Sequence, residues 1–156
     1  MTSTSDTTIL IFGASGDLTS RKLIPALFRL SQQQYLSPRC PGVGVARRPK
    51  SHDEFRTEMR DKVKARLGND QFDAAAWDIF AKQLFYQQLD ITNAEEYATL
   101  KESVQTLETE VGAGSDSARI VYLATTPDLI ASAVEGLHAS QMIPPRESES
   151  QLRVVV

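Results

Sequence analysis

The sequence predicts an α/β fold: a doubly wound parallel sheet with helices on both faces. Three observations predict it. Short apolar segments alternate with helical patterns, a glycine-containing turn follows the first apolar segment directly, and 156 residues with 41% hydrophobic content suffice for one buried core. Strands that alternate with helices pair in parallel through right-handed crossovers. We therefore expect a single domain over residues 1–156.

The first strand, expected at residues 8–12, leads into a turn with the sequence Gly13-Ala14-Ser15-Gly16-Asp17-Leu18. Gly13 can take a backbone angle that is closed to other residues, and Gly16 lets the main chain approach a phosphate without a Cβ in the way. The helix that follows points unpaired N–H groups to the same place, where its dipole also favours an anion. This unit is typical of a Rossmann-type site for a dinucleotide.

The spacing of the two glycines leaves an alternative open. Gly-x-x-Gly is shorter than the full Gly-x-Gly-x-x-Gly pattern, and Thr19 stands where a third small residue would help the helix pack on the strand. An ordinary strand-to-helix turn with a glycine at each bend is the alternative. The strand before the turn and the amphipathic helix after it favour phosphate binding.

The elements after the turn continue the alternation. A helix is expected over residues 18–34, with a mild kink or the end of a first turn near Pro25, because proline lacks an N–H. A break at residues 37–42, which contains two prolines and a glycine, precedes a second strand at residues 43–46.

The next helix, over residues 51–67, opens with a capping box in which Ser51 is the N-cap and Glu54 follows three residues later. The later elements follow from the same patterns: a helix at 73–82, a strand at 84–89, a helix at 93–111, a polar loop at 112–117, a strand at 119–124, a helix at 127–140 that begins with proline, and a strand at 152–156.

Composition restricts the class of partner. The formal net charge is −3, and the 17 basic and 20 acidic residues are mixed along the chain, so no basic face indicates nucleic acid or an anionic membrane. No apolar run reaches the roughly 20 residues of a membrane span, and the first residues are polar. The single cysteine, Cys40, cannot form an internal disulfide. We expect a cytoplasmic protein whose partner is a small molecule.

The residues after the second strand predict which dinucleotide binds. An acidic residue there accepts hydrogen bonds from the ribose of NAD, whereas arginine accommodates the 2′-phosphate of NADP. The chain places Arg47 at this position, within the sequence Ala46-Arg47-Arg48-Pro49-Lys50. Because guanidinium offers a planar fork to phosphate, NADP is the predicted cofactor. A solvated basic turn is the alternative.

Two further segments follow strands and could line the cofactor pocket, because ligands bind beyond the carboxyl ends of strands. Asp90 and Ile91 follow the third strand, and Tyr122 lies near the end of the fourth. For Asp90 the alternative is a turn that precedes a helix, and for Tyr122 it is core packing with a satisfied hydroxyl. His52 and His138 have no titratable partner at a catalytic spacing, so neither is assigned as a general base.

At residues 11–23 (Ile-Phe-Gly-Ala-Ser-Gly-Asp-Leu-Thr-Ser-Arg-Lys-Leu) and again at Gly44-Val45-Ala46-Arg47, the chain resembles the glucose-6-phosphate dehydrogenase family. The segment Ile-Val-Tyr-Leu-Ala-Thr-Thr-Pro at 120–127 is similar to that family's fourth strand. Residues 152–156 are similar to the strand before its Glu-Lys-Pro-Phe-Gly motif. The resemblance extends over the whole chain.

The resemblance implies oxidation of glucose 6-phosphate to 6-phosphogluconolactone with hydride transfer to NADP, in the pentose phosphate pathway. It implies that Gly13 to Ser20 bind the pyrophosphate, that Arg47 binds the 2′-phosphate, and that Asp90, Ile91 and Tyr122 lie against the cofactor. The cofactor-binding residues expected on this basis are Gly13, Ala14, Ser15, Gly16, Asp17, Leu18, Thr19, Ser20, Arg47, Asp90, Ile91 and Tyr122.

The resemblance also implies that the catalytic residues and the substrate phosphate site lie in sequence absent from this chain. We therefore expect a truncated chain with no catalytic residue, no metal ligand and no dehydrogenase turnover by itself, and a full-length protein that forms a homo-oligomer. The alternative is a stand-alone NADP-binding or regulatory module without chemistry.

One further pattern points to a different enzyme class. Tyr97 and Lys101 have the Tyr-x-x-x-Lys spacing of short-chain reductases. They fall in the helix between the third and fourth strands, whereas that family's pair looks to lie beyond the fifth strand. We interpret them as an exposed helical tyrosine and lysine, so replacing Tyr97 with phenylalanine should leave cofactor binding unchanged.

Overall fold

The computed structural model of the protein describes residues 6–113, 117–143 and 152–156. The strands in this part of the chain are β1 (Thr7–Phe12), β2 (Gly42–Ala46), β3 (Leu84–Gln88), β4 (Ala118–Leu123) and β5 (Leu152–Val155). They form one parallel sheet with the order β3-β2-β1-β4-β5. The predicted α/β fold is confirmed. The expected polar loop at 112–117 lies partly outside the described residues.

Four of the five expected helices agree with the sequence pattern to within three residues at each end, while the first, expected from residue 18, starts as a π-helical turn and becomes α-helical at Ile24. The α-helices are α1 (Ile24–Gln32), α2 (His52–Leu67), α3 (Ala74–Ala81), α4 (Glu96–Glu110) and α5 (Pro127–Ala139). A π-helical turn at Thr19–Leu23 precedes α1, and Pro25 lies in the first turn of α1. The chain is therefore helical on both sides of Pro25, and the change from π-helical to α-helical bonding falls directly before it. No described helix has the length and apolar character that a membrane span requires.

The sheet separates two apolar cores. Along β1 the side chains alternate, so Leu10 and Phe12 face one core while Ile11 faces the other. The first core includes residues of α4 and α5, and the second includes residues of α1, α2 and α3. Helices therefore cover both faces of the sheet.

The strand order places a topological switch point at β1. From β1 the chain adds β2 and then β3 on one side, and afterwards β4 and β5 on the other. The crevice beyond the carboxyl ends of strands at such a point is where doubly wound sheets bind ligands. Gly13 directly follows β1, and Ala124 directly follows β4, so both lie at this crevice.

Helix α2 starts with the predicted capping box and also covers the outer edge of the sheet. The Ser51 hydroxyl accepts from the N–H of Glu54, and the Glu54 carboxylate accepts from the N–H of Ser51, at 3.0 and 2.8 Å.

Two side chains of α2 bond to the edge strand β3. Arg56 Nε donates to the carbonyl of Leu84 at 2.7 Å, and Nδ1 of His52 accepts from the N–H of Tyr86 at 3.0 Å. These two hydrogen bonds satisfy main-chain groups on the outer edge of β3 that would otherwise be free to pair with another strand.

Candidate cofactor site

The glycine turn, residues 13–16, is fixed to the neighbouring strands by its backbone. Gly13 has φ +94°, and a Cβ there would lie 2.3 Å from the carbonyl oxygen of Ala124. The N–H groups of Gly13 and Ala14 both donate to the carbonyl of Val45, at 2.9 and 3.1 Å. Only glycine fits at position 13, because both the backbone angle and the space exclude a side chain.

Two hydroxyl side chains, those of Thr19 and Ser20, donate hydrogen bonds to main-chain carbonyls in and just after the turn. Thr19 is fully buried, and its hydroxyl donates to the carbonyl of Gly13 at 3.0 Å, while the Ser20 hydroxyl donates to the carbonyl of Asp17 at 3.3 Å. The Thr19 side chain is bonded inward and has no exposed surface, and a contact between Thr19 and the cofactor stays a prediction. Thr19 therefore stabilises the turn, and it does so with a hydrogen bond rather than by being small.

The exposed top of the turn presents backbone donors. Ser15, Gly16, Asp17 and Leu18 are exposed, and the chain becomes helical at Asp17. The N–H of Gly16 donates back to the carbonyl of Gly13 at 2.9 Å, so it closes the turn. The first N–H groups of the helix have no intrahelical acceptor, and the helix dipole is positive there. The donors at this surface suit an anion such as a pyrophosphate.

A second observation shows that the crevice suits a bound group. Among the described residues, Oγ1 of Thr125 is the buried side-chain oxygen without a hydrogen-bond partner. Thr125 follows β4 directly after Ala124, and its methyl group lies 3.3 Å from the position of a Cβ on Gly13. The glycine cradle and this unpaired hydroxyl at the same place fit the dinucleotide that the sequence predicts.

The segment after β2 places Arg47 at the same edge of the sheet. Its carbonyl accepts from Nε2 of Gln88 at 3.1 Å, and the carbonyl of Arg48 accepts from the Tyr86 hydroxyl. These bonds fix the main chain, while the Arg47 side chain is exposed and forms no ion pair with a described residue. The guanidinium is therefore available for a ligand.

Tyr86 links this segment to the glycine turn. Its ring is buried, its hydroxyl interacts with the hydroxyl of Ser15, and Lys50 Nζ lies 5.7 Å from the ring centroid. Burial raises the pKa of Tyr86, and the nearby carboxylate of Glu58 raises it further. At neutral pH the hydroxyl therefore keeps its proton and its hydrogen bond to the main chain of Arg48.

Asp90 forms a turn before α4. Its Oδ1 accepts from the N–H and the hydroxyl of Thr92 at 3.0 and 2.7 Å, and its N–H donates to Glu96 at 2.7 Å. The bonds from Thr92 and the charge of Arg47 hold the pKa of Asp90 below its usual value. Asp90 thus forms the turn before a helix that the sequence analysis gave as the alternative to cofactor contact. A contact between Asp90 and the cofactor stays a prediction.

Ile91 and Tyr122 have different surroundings. Ile91 is partly buried against the core of α4 and α5, and its carbonyl accepts from the Tyr97 hydroxyl at 2.9 Å. Tyr122 is partly exposed and lies in register with Ile11 of β1, so its side chain is on the opposite face of the sheet from Leu123 and Val121. For both residues, contact with the cofactor remains a prediction.

Comparisons with known proteins decide the family. A model of "Glucose-6-phosphate dehydrogenase, NAD binding domain" matches residues 10–156. The chain belongs to the glucose-6-phosphate dehydrogenase family. The resemblance seen in the glycine turn and in the segment after β2 is thereby confirmed.

Relatives and solved structures of the glucose-6-phosphate dehydrogenase family agree with this assignment. The glucose-6-phosphate 1-dehydrogenase of Chlamydia muridarum is 37% identical over 86% of this chain and 26% of its own length, and that of Leuconostoc mesenteroides is 33% identical over 92% and 28%. A crystal structure of the Mycobacterium avium glucose-6-phosphate 1-dehydrogenase is 30% identical with a TM-score of 0.78 and covers 97% of this chain and 29% of that one. A glucose-6-phosphate dehydrogenase solved "in complex with its substrate glucose-6-phosphate" is 32% identical, with a TM-score of 0.78, over 97% of this chain and 30% of that one. The chain thus spans about a quarter of the length of the curated relatives it matches.

In this family member, sequence reasoning missed two cations beside the glycine turn. Lys62 and Arg66 of α2 line a cavity together with Ser15 and Gly16. Their spacing of four residues puts them on one helix face, but nothing in the sequence shows that this face meets the turn. Among the described residues no cluster of three metal-ligating side chains occurs.

Proposed function

We propose that this chain is the NADP-binding part of an enzyme that oxidises glucose 6-phosphate to 6-phosphogluconolactone. Its membership of the glucose-6-phosphate dehydrogenase family supports the proposal, and so do relatives named glucose-6-phosphate 1-dehydrogenase. A similar solved protein is described as a complex with glucose 6-phosphate as its substrate. The proposal assigns this substrate to the whole enzyme, with its binding site outside this chain.

The observation that carries the choice of NADP is the position of Arg47. The main chain of Arg47 is fixed at the carboxyl end of β2. Its exposed guanidinium forms no ion pair at contact distance with a described carboxylate, although its charge acts on Asp90. Charge-assisted hydrogen bonds contribute about 1.5–3 kcal/mol each. One arginine at this position can therefore separate NADP from NAD by at least tenfold, which corresponds to about 1.4 kcal/mol.

The residues of this chain orient the cofactor. The backbone donors at Ser15 and the first helical turn would hold the pyrophosphate, and Arg47 would hold the 2′-phosphate. Asp90, Ile91 and Tyr122 complete the proposed binding set. When bound, NADP supplies the hydride acceptor of the reaction.

None of the described residues is assigned to remove the hydroxyl proton of the sugar, so we expect no turnover by this chain alone. An assay with glucose 6-phosphate and NADP⁺ should give no NADPH above background. Substantial NADPH formation would contradict this expectation and would require a base within the 156 residues.

Titration calorimetry with NADP⁺ and NAD⁺ tests the proposed cofactor. NADP⁺ should bind more tightly, and Arg47→Ala should remove most of that preference while leaving NAD⁺ affinity nearly unchanged. Arg48→Ala is the matched control, because it removes the same charge from the adjacent residue. Equal affinities of the wild-type chain for the two dinucleotides would refute the role of Arg47.

The setting of the full enzyme is part of the same proposal. We propose a cytoplasmic protein that assembles as a homo-oligomer, supported by the mixed surface charge, the single cysteine and a sugar phosphate as substrate. The intact mass of the protein from its own cells, compared with 17.2 kDa, separates a large enzyme from a stand-alone NADP-binding module. Size exclusion of that native protein then gives its oligomeric state.

A further inference from the structure

A cavity of about 600 Å³ lies between the glycine turn and the C-terminal half of α2. Its lining brings together one exposed part of the turn and one face of the helix. The residues that line it are Ser15, Gly16, Asp17, Ser20, Arg21, Lys62, Ala65 and Arg66. The cavity therefore adjoins the proposed phosphate cradle on the side that faces α2.

The position of α2 is set by its apolar face. Met59 and Val63 are fully buried in the core shared with α1 and α3. The main chain of Lys62 and Arg66, on the neighbouring face, is consequently held beside the turn, and both exposed side chains line the cavity. A spacing of four residues places their side chains next to each other.

The charge of the cavity is positive. Asp17 is neutralised by Arg21, whose Nη1 lies 2.6 Å from its carboxylate. The ammonium groups of Lys50 and Lys62 share the single carboxylate of Glu58, at 2.6 and 3.1 Å, so one positive charge is left over. Arg66 forms no ion pair within the described part of the chain.

Ser15 connects this cavity to the segment that carries Arg47. Ser15 lines the cavity and also interacts with the Tyr86 hydroxyl, which donates to the carbonyl of Arg48. The cavity is therefore linked through Ser15 and Tyr86 to the main chain directly after Arg47. A phosphate that Arg47 binds beside Ser15 would lie at the mouth of the cavity.

We propose that Lys62 and Arg66 form a second cationic contact for the adenosine 2′-phosphate of NADP, in addition to Arg47. This inference rests on the proposed function, because it assigns further residues to the same cofactor. Two cations fixed on a helix face add attraction for a dianionic phosphate without requiring a change in the turn. They would raise the affinity for NADP and leave the affinity for NAD, which has no 2′-phosphate, nearly unchanged.

The test uses the double variant Lys62→Gln/Arg66→Gln in the 156-residue chain. The matched control is Arg29→Gln/Lys82→Gln, which removes the same two charges from exposed residues that do not line the cavity. By titration calorimetry, the cavity variant should weaken NADP⁺ binding about tenfold or more, or about 1.4 kcal/mol, relative to the control, and change NAD⁺ binding by less than about twofold. The difference should shrink at high salt, because exposed charges are screened.

Two smaller probes locate the contact on the ligand. Adenosine 2′,5′-bisphosphate and adenosine 5′-monophosphate differ only in the 2′-phosphate. The cavity variant should lose affinity for the bisphosphate and not for the monophosphate. An equal loss for both probes would overturn the proposal, because it would place the cations at another phosphate.

The outcomes separate the two levels of inference. If the wild-type chain binds neither dinucleotide, the proposed function fails and this inference fails with it. If the wild-type chain prefers NADP⁺ and the cavity variant matches its control, only the role of Lys62 and Arg66 is refuted. The charge-conserving variant Lys62→Arg/Arg66→Lys should retain the preference, and its loss there would refute a role based on charge.

Discussion

The ring of Tyr97 packs directly against the backbone of Gly136. A Cβ on Gly136 would lie 2.3 Å from both Cε2 and Cζ of Tyr97. Tyr97 is fully buried between α4 and α5, and its hydroxyl donates to the carbonyl of Ile91. The expectation of an exposed tyrosine in a chance Tyr-x-x-x-Lys pattern was therefore wrong about exposure. Burial raises its pKa to about 12, and in this chain Tyr97 joins two helices.

Gly136→Ala should destabilise the protein. Overpacking a core costs typically about 1–3 kcal/mol, while alanine in a helix interior gains about 1 kcal/mol over glycine. The difference is about 0–2 kcal/mol, so the free energy of unfolding, measured with urea, should fall by about 1 kcal/mol. In a Tyr97→Ala background the same substitution should become neutral or stabilising, because the ring that causes the clash is gone. A loss of similar size in both backgrounds would show that the ring is not the cause.

His52 makes the stability of the β3 edge dependent on pH. Its Nδ1 accepts from the N–H of Tyr86, which requires the neutral ring. Burial, together with the charge of Arg56, lowers the pKa of His52 from its ordinary value of 6.5, although Glu110 and Asp53 oppose the shift. Because the folded pKa is the lower one, the unfolded chain binds this proton first. The contribution of His52 is complete above about pH 6.5 and is lost as the pH falls through the folded pKa.

Urea unfolding between about pH 8 and pH 5.5 measures this dependence. His52→Gln should flatten the curve, because a glutamine oxygen can accept from the Tyr86 N–H without titrating. His138→Gln serves as the control, since His138 lies on the exposed surface of α5. An unchanged slope in the His52 variant would exclude this histidine as the titrating group.

The fold follows from the sequence because its patterns are local and strong. Strands buried on both faces read as apolar runs, and the capping box at Ser51 marked the start of α2 to the residue. The covering of the β3 edge by His52 and Arg56 was not predictable in the same way. It depends on where α2 crosses the sheet, which no spacing along the chain encodes.

The candidate site could be predicted only in part, because some of its residues are marked by local patterns and others are placed by tertiary packing. The glycine turn and Arg47 are local signals placed by the ends of strands, and both lie where the sequence puts them. The inward orientation of Thr19 required knowledge of the turn geometry, since its hydroxyl bonds a carbonyl six residues earlier. Lys62 and Arg66 reach the turn only through tertiary packing of α2, so the sequence showed them as part of a solvated helix face.

Glu108 is predicted to anchor α4 to the amino ends of the strands. Its carboxylate accepts from the Thr8 hydroxyl at 2.7 Å and from Arg119 at 2.6 and 3.2 Å. The side chains of Glu108 and Arg119 are only 10% and 18% exposed. Breaking a buried pair by removing one partner costs about 3–5 kcal/mol, so Glu108→Gln should cost close to the lower value.

Urea denaturation checks this expectation, with the exposed Glu102→Gln on the same helix as the control. The double variant Glu108→Gln/Arg119→Gln should be less destabilised than the sum of the single variants, because neither charge is then left without its partner. Strict additivity would mean that the two side chains do not interact energetically.

Replacing the two glycines of the turn by alanine should affect different properties: the stability of the fold at Gly13 and NADP⁺ binding at Gly16. At Gly13 the positive φ and a main-chain oxygen 2.3 Å from the added Cβ leave no room, and the oxygen belongs to the backbone of Ala124. We expect Gly13→Ala to lower the free energy of unfolding by at least about 2 kcal/mol, since strain and overpacking add.

At Gly16 the nearest atom lies 3.1 Å from the added Cβ, and the residue is exposed. The Gly16→Ala variant should therefore fold nearly normally. It should lose NADP⁺ affinity, because the new methyl group occupies the surface that is proposed to bind the phosphates. Urea unfolding and calorimetry on both variants measure the two effects, and normal NADP⁺ affinity in Gly16→Ala would place the phosphates elsewhere than over this turn.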